Sequence, residues 1–174
     1  KKLKQKCIEL KQINLSKLVK IMVNKKQVGS DRISNAIGII DKKSNYIILD
    51  FGTATTFDVV IKDKYLGGVI APGVNLSLKT LISKASLIPP VNISKISKII
   101  GTNTSSAVKS GFYWGYAGLI DNVIKLIIKE TNKPFKIILT GGLSHLFKNV
   151  IKGKIEVKKD LTINGLLKVS KNLK

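Results

Sequence analysis

Residues 46–60 read Y-I-I-L-D-F-G-T-A-T-T-F-D-V-V, which predicts a strand, a tight turn and a second strand. The run over 46–49 is β-branched and aromatic, as is typical of an interior strand. Asp50 ends this run, and Gly52 permits a positive φ or the close approach of another backbone. The core of the fold is therefore expected around this turn.

The turn has two interpretations. Thr53, Thr55 and Thr56 put three hydroxyls beside exposed amides, and together these donors can hold a phosphate oxygen. Asp50 stands where a cation bridging to phosphate would bind. An ordinary β-hairpin turn with an aspartate at its start fits the same residues, because D-x-G-T is short and common. From the turn alone, both interpretations remain open.

Composition limits the class of protein. A chain of 174 residues with 44% hydrophobic content can bury a core without disulfides or metals, as one compact domain or one domain with a small appendage. The single Cys7 cannot pair within the chain, which favours a reducing compartment. No apolar run reaches the roughly 18 to 20 residues of a membrane span. We expect a cytoplasmic protein with no membrane partner.

The formal net charge of +21 invites a nucleic-acid interpretation. However, the lysines are spread over the whole chain, and only 6% of residues are aromatic, so basic and aromatic residues do not interleave as in single-strand binders. We expect solvated lysine faces, an attraction for small anions and no nucleic-acid partner.

Before the central turn, the sequence predicts a short helix within residues 1–12, a strand over 18–23, and a helix from 33 to 40 capped by Ser30 or Asp31. Arg32 is the only arginine of the chain. A single guanidinium among lysines suggests a site that needs a planar fork for a carboxylate or phosphate. A chance arginine on a helix surface is the alternative.

After the turn, the pattern predicts alternating strands and helices. The predicted strands are 57–61, 65–70, 136–139 and 155–157, and the predicted helices are 75–87, 105–130 and one near the C-terminus, with a loop over 89–100. Gly111, Gly115 and Gly118 recur along one side of the long helix. Such spacing suggests close packing of another backbone, either across a helix–helix dimer interface or within the chain.

Four motifs occur in a fixed order: G-S-D-R at 29–32, D-F-G-T at 50–53, G-T-N-T at 101–104 and T-G-G at 140–142, with Y-L-G-G-V-I-A-P-G at 65–73 between them. From about residue 18 to 168 this set resembles the type III pantothenate kinases of the acetate-kinase, sugar-kinase and actin-like ATPase superfamily. The resemblance implies an α/β, actin-like ATPase (ribonuclease H-like) domain with a mixed sheet flanked by helices. It implies a remnant of the N-terminal half-domain at 1–42 and the C-terminal half-domain at 43–174.

The resemblance also implies an activity, which is ATP-dependent phosphorylation of pantothenate to 4'-phosphopantothenate, the first step of coenzyme A biosynthesis. The implied enzyme is a homodimer that uses magnesium and a monovalent cation, potassium or ammonium. The resemblance makes Asp31 the general base, since a carboxylate can take the proton of the attacking hydroxyl. The implied ligands are Gly29, Ser30, Asp31, Arg32 and Thr104 for pantothenate, Gly52, Thr53, Gly141 and Gly142 for ATP, and Asp50 for the monovalent cation.

One departure from the family pattern bears on activity. Family members begin with a D-x-G-N-T loop that cradles the ATP phosphates, whereas D-F-G at 50–52 is the only D-x-G of this chain. We therefore expect a fragment or truncated gene product, with its first half-domain incomplete and its kinase activity impaired. The alternatives are another small-metabolite kinase of the superfamily and a non-catalytic regulatory remnant.

Overall fold

The computed structural model describes residues 8–173. Its strands are β1 (Lys20–Ile21), β2 (Asn45–Phe51), β3 (Ala54–Ile61), β4 (Lys64–Pro72), β5 (Lys136–Gly141) and β6 (Ile155–Val157). Its helices are α1 (Ser30–Ile39), α2 (Val74–Lys84), α3 (Thr104–Thr131), α4 (Ser144–Phe147) and α5 (Leu161–Lys171). Of the helix predicted within residues 1–12, residues 1–7 lie outside the described residues, and Leu10–Gln12 forms a 3₁₀ turn.

The six strands form one mixed sheet in the order β1-β4-β3-β2-β5-β6. The central β2, β3 and β4 form an antiparallel meander joined by two tight turns. The other three pairings are parallel, β1 with β4, β5 with β2 and β6 with β5. This mixed sheet with flanking helices confirms the predicted fold class.

Strand β2 lies at the centre because both of its faces are apolar. Ile48 faces a cluster that includes α1 and α5 residues, while Ile47 and Leu49 face a second cluster built mainly on α3. All three side chains are fully buried. Since neighbouring residues of a strand point to opposite faces, an uninterrupted apolar run is what a strand covered on both sides requires.

Two local predictions before the central turn were wrong. The strand predicted over 18–23 is confined to Lys20–Ile21, because the chain leaves β4 there, Met22 and Val23 are exposed, and Asn24 caps a 3₁₀ turn by accepting from the Lys26 N–H. Helix α1 has Gly29 as its N-cap, with no side-chain cap. Ser30 and Asp31 lie inside the first turn, where the Asp31 charge favours the helix dipole.

The long helix α3 begins and ends as local rules lead one to expect. The Asn103 side chain accepts from the Ser106 N–H while the Ser106 hydroxyl accepts from the Asn103 N–H, which forms a capping box. Asn132 ends the helix in the left-handed conformation, at φ 50°. Asn103 of the G-T-N-T motif is therefore the N-cap of α3.

The described part of residues 1–42 is built into the same sheet and helix layer as the rest of the chain. Strand β1 pairs with β4, and α1 packs against α5. The division of the chain at residue 42 stays a prediction. None of the helices within residues 8–173 has both the length and the apolar character that a bilayer span requires.

Candidate functional site

Two aspartates of the sheet lie beneath the start of α1, and the first turn of this helix carries a third. Asp50 on β2 pairs in register with Thr56, and Asp58 follows two residues later on β3, so both carboxylates share the face that α1 covers. Asp31 on α1 is close enough for its charge to act on Asp50. Asp31, Asp50 and Asp58, with Arg32 and Asn35 of α1, are called the carboxylate cluster below.

Within this cluster the guanidinium of Arg32 is bound to Asp58. Arg32 Nε donates to Asp58 Oδ1 at 2.8 Å, and Nη2 lies 2.7 Å from the same oxygen. The Arg32 side chain is 12% exposed and that of Asp58 is fully buried. Although burial by itself lowers the pKa of Arg32, the hydrogen bond and charge of Asp58 raise it on balance. The partner of the guanidinium is thus a carboxylate of this chain, and the contact is made to one carboxylate oxygen.

Two further donors satisfy the Asp58 carboxylate. The Tyr65 hydroxyl donates to Oδ1 at 2.7 Å, and the Thr56 hydroxyl donates to Oδ2 at 3.3 Å. Burial raises the pKa of Asp58, while the bonds from Arg32, Tyr65 and Thr56 oppose that rise. Burial and the Asp58 charge also raise the pKa of Tyr65, so the phenol stays a donor. A buried carboxylate needs such partners to remain charged.

Asp50 is held by a second hydrogen-bond chain that joins three elements. The Asn35 amide donates to Asp50 Oδ2 at 3.0 Å, and the Thr162 hydroxyl of α5 donates to the Asn35 amide oxygen at 2.7 Å. Burial raises the pKa of Asp50, the charges of Asp31 and Asp58 add to the rise, and the Asn35 bond opposes it. A positive charge beside Asp50 would relieve this electrostatic cost.

Backbone borders the Asp50 carboxylate on two sides. Its Oδ1 lies 2.7 Å from where a Cβ at Gly141 would sit and 3.7 Å from where a Cβ at Gly52 would sit, so only backbone borders this oxygen on those sides. Within residues 8–173, no group of three or more Asp, Glu, His or Cys side chains forms a metal-ligand set.

The D-F-G-T turn is the tight turn of the β2–β3 hairpin, a geometry that both interpretations of the turn share. Gly52 and Thr53 are exposed and border a groove of about 350 Å³ together with α2 residues. Thr55 and Thr56 are buried, which is a correction to the expected trio of turn hydroxyls. They are buried because β3 already begins at Ala54. Thr53 alone offers an exposed hydroxyl to a phosphate.

The remaining predicted ligands fall in two places. Gly141 ends β5 at φ +83° beside Phe51, and Gly142 follows it, exposed. Thr104 is exposed at the start of α3, on an open groove of about 550 Å³. Helix α3 packs on the opposite face of the sheet from α1, and in the described residues no hydrogen bond joins Thr104 to the carboxylate cluster.

Four residues of the site were missed in the sequence. Asp58 lies two residues past Thr56 in the hairpin, so strand alternation could have placed it on the face of Asp50. Asn35 lies one helical turn after Asp31, so helix periodicity could have indicated it. Tyr65 and Thr162 carry no comparable local signal. The register of β4 with β3 places Tyr65 beside Asp58, and the packing of α5 on α1 places Thr162 beside Asn35.

The mixed sheet flanked by helices, which carries the hairpin turn and the carboxylate cluster, defines an α/β domain with an actin-like fold. Solved structures agree in fold. A structure described as a Baf family transcriptional activator from Campylobacter jejuni has a TM-score of 0.64 and 24% identity, over 92% of this chain and 72% of that one. An Alp12 filament structure has a TM-score of 0.56 and 18% identity, over 82% and 52%.

Sequence comparison narrows the class to one family. The family model described as Type III pantothenate kinase matches residues 1–126. The type III pantothenate kinase of Pelagibacter ubique is 63% identical over 171 residues, which are 98% of this chain and 69% of that protein. That of Cereibacter sphaeroides strain ATCC 17029 is 48% identical over 142 residues, which are 80% of this chain and 55% of that protein.

The chain belongs to the type III pantothenate kinase family. It spans little more than half to about two thirds of the length of these relatives.

Proposed function

We propose that this chain carries the phosphoryl-transfer cleft of a pantothenate kinase and phosphorylates pantothenate with ATP, yielding 4'-phosphopantothenate for coenzyme A biosynthesis. The observation that supports this most directly is the first turn of α1, where an exposed Asp31 lies next to an anchored Arg32 and within electrostatic range of Asp50. A phosphoryl-transfer site needs a base, an oxygen-binding cation and an anion-holding loop in one cleft.

In this proposal Asp31 is the general base. It forms no ion pair within the described residues, and its exposure lets a substrate hydroxyl approach. The carboxylate takes the proton of the pantothenate hydroxyl as that oxygen bonds to the γ-phosphorus and ADP leaves in line. Arg32, with Gly29 and Ser30 at the start of α1, holds the substrate, because the guanidinium and backbone N–H groups of this turn can donate to its oxygens.

The nucleotide would lie on the other side of Asp50. Thr53 offers an exposed hydroxyl to the phosphates, and Gly52 leaves room beside it, although the Gly52 N–H already donates to the Ala54 carbonyl oxygen. Gly141 and Gly142 give a surface without side chains for the adenosine. A monovalent cation at Asp50, potassium or ammonium, would neutralise charge beside the phosphates, and magnesium would arrive with the ATP. Each of these groups acts on charge and position.

The active protein is proposed to be a cytoplasmic homodimer that needs neither nucleic acid nor membrane. Apart from neighbouring residues of α3 itself, residues 8–173 place no heavy atom within 4 Å of the Cβ position of Gly111, Gly115 or Gly118. Close packing of another element of the described chain on this side of α3, which was the alternative interpretation, is therefore not found. An open strip of glycines with aromatic side chains beside it suits a second α3, and the exposed Thr104 at the start of the helix then belongs to the same dimer surface.

The proposal is tested by assaying the purified chain with pantothenate, ATP, magnesium and potassium. Product is expected, at a rate reduced relative to the longer Pelagibacter relative, and Asp31→Asn is expected to lower turnover by about 10²- to 10⁴-fold. The matched control is Asp121→Asn, which removes an α3 carboxylate paired with Lys125 and should leave turnover unchanged.

Three outcomes count against the proposal. Absence of any pantothenate phosphorylation would reject kinase activity for this chain. Full turnover by a folded Asp31→Asn variant would remove Asp31 from the role of base. A panel of other hydroxylated acids would identify a different small-metabolite kinase if one of them reacted faster than pantothenate.

A further inference from the structure

The pairing of Arg32 with Asp58 separates the two neighbouring charged residues of G-S-D-R. Arg32 is the only arginine of the sequence, and Asp31 is its immediate neighbour. Yet Arg32 Nε donates to Asp58, which is 26 residues away, and Asp31 forms no ion pair within residues 8–173. Asp58 on β3 therefore balances the charge of Arg32, and the Asp31 carboxylate stays available to a ligand.

The geometry around Asp58 is that of a fixed anchor. Its carboxylate is fully buried and accepts hydrogen bonds from Arg32, Tyr65 and Thr56. A Cβ at Gly68 would sit 3.1 Å from Arg32 Nη2, so the absence of a side chain there leaves room for the guanidinium. An arginine held in this way loses the freedom of its long side chain before any ligand binds.

One end of the guanidinium is left without a hydrogen-bond partner. Nη2 of Arg32 is buried and close to Asp58 Oδ1, but the contact does not have hydrogen-bond geometry, and no other acceptor is present in the described residues. Buried N–H groups without an acceptor are costly. Because Asp58 and Gly68 cover Nη2, a ligand oxygen would reach Arg32 through the 12% of its side chain that is exposed.

We propose that Asp58 is a positioning residue, whose buried carboxylate holds the Arg32 guanidinium away from Asp31 and leaves the exposed part of the Arg32 side chain for an oxygen of bound pantothenate. This role rests on the proposed function and deepens it. Tyr65 and Thr56 support it, since they fix the Asp58 carboxylate by two further hydrogen bonds. Without Asp58, Arg32 is free to turn toward Asp31 or Asp50.

The single arginine makes the test direct, because uniformly ¹⁵N-labelled protein has one arginine Nε–H signal. In the wild type this proton is expected to exchange slowly with solvent, since it is bonded to a buried carboxylate. Asp58→Asn keeps the shape and removes the charge, and it should speed the exchange by about 10-fold or more. Asp63→Asn, which removes a carboxylate paired with Lys20 on the neighbouring turn, is the matched control and should leave the exchange unchanged.

Pantothenate is then titrated into the three proteins and followed by the same signal and by calorimetry. We expect the wild type and Asp63→Asn to bind alike, and Asp58→Asn to bind about 10-fold or more weakly, because a mobile guanidinium must be ordered on binding. Melting temperatures are recorded in parallel. A merely structural role would lower the melting temperature of Asp58→Asn without changing its affinity at a temperature where it is folded.

The outcomes separate the positioning role from the proposed function. Wild-type exchange and affinity in folded Asp58→Asn would overturn the positioning role alone. Absence of pantothenate binding by the wild type would overturn the proposed function and with it the substrate role of Asp58. If Asp58→Asn does not fold, Tyr65→Phe replaces it, because this change removes one donor to Asp58 and keeps the ring. Unchanged exchange and affinity in Tyr65→Phe would then overturn the positioning role.

Discussion

At the scale of single residues, Asp50 and Asp41 respond to the fold in opposite ways. Burial raises the pKa of Asp50, and the charges of Asp31 and Asp58 add to the rise. Asp41 is exposed, and donors from Ser44 and the Tyr46 hydroxyl hold its pKa well below the usual range. The fold therefore destabilises the charged form of Asp50 and stabilises the charged form of Asp41.

We predict that Asp50→Asn increases the free energy of unfolding at pH 7. A folded-state pKa above the unfolded value means that the contribution of Asp50 is fully present below about pH 3.9 and is lost as the pH rises through the folded-state value. Asparagine does not ionise and can still accept the Asn35 hydrogen bond, so this loss disappears. Urea unfolding at several pH values should show a gain at pH 7 that shrinks toward pH 4.

Asp41→Asn is the contrasting variant and is predicted to lower stability at neutral pH by less than about 1 kcal/mol, because the site is exposed. The lowered folded-state pKa of Asp41 gives stability that is present above the unfolded value and lost in acid. The difference between Asp41→Asn and wild type should therefore vanish at low pH. Effects of the same sign in both variants would contradict the assignment of these two carboxylates.

At the scale of elements, α1 and α5 pack with almost no space between their backbones. A Cβ built at Gly165 would lie 2.6 Å from both the carbonyl carbon and the hydroxyl oxygen of Ser34, and one at Gly38 would lie 2.7 Å from the Leu161 carbonyl oxygen. Lys168 of α5 also donates to the carbonyls of Ile37 and Gly38, at the C-terminal end of α1. The C-terminal helix thus holds α1 and, through Thr162 and Asn35, the side chain of Asp50.

Gly165→Ala is predicted to reduce the free energy of unfolding by about 1 to 3 kcal/mol, since the added methyl group must push two helix backbones apart. Asn164→Ala is the matched control on the same helix, because Asn164 is exposed and alanine has the higher helix propensity. Chemical denaturation of both variants measures the difference. Equal stability of Gly165→Ala and wild type would show that the helices can separate at no cost.

At the scale of the whole molecule, one side of α3 with glycines and aromatic side chains is not covered by any other part of the described chain. Gly111, Gly115 and Gly118 are exposed, with the half-buried rings of Phe112 and Tyr116 beside them.

We predict that the chain sediments as a dimer in analytical ultracentrifugation. Gly115→Leu should raise the dimer dissociation constant by about 30-fold or more, because a side chain then fills the line of closest approach.

Lys129→Leu provides the control for the dimer prediction. It lies on the same line of the same helix, about 21 Å further along by helical rise, and should leave the association unchanged. Far-UV circular dichroism of both variants checks that α3 remains helical. A wild-type chain that sediments as a monomer at high concentration would contradict the dimer, and the open strip of α3 would then need another explanation.

The elements whose signals are local were predictable from the sequence. The hairpin around Gly52, the turn between β3 and β4, and the long capped helix α3 all follow from runs, turn residues and cap types within a few positions. The edge strand β1 was overestimated, because its length depends on the pairing available at β4. Helix α1 begins at Ser30, three residues before the predicted start, because Gly29 provides the N-cap.

The sequence by itself determined the mixed α/β class, the central hairpin and the order of the motifs, because periodicity and turn chemistry act between near neighbours. Only the tertiary structure decided that Arg32 binds Asp58, 26 residues away, and that Thr162 reaches Asn35, 127 residues away. Those contacts depend on the register of β3 with β2 and on the packing of α1 against α5. Both are properties of the assembled core that no single segment encodes.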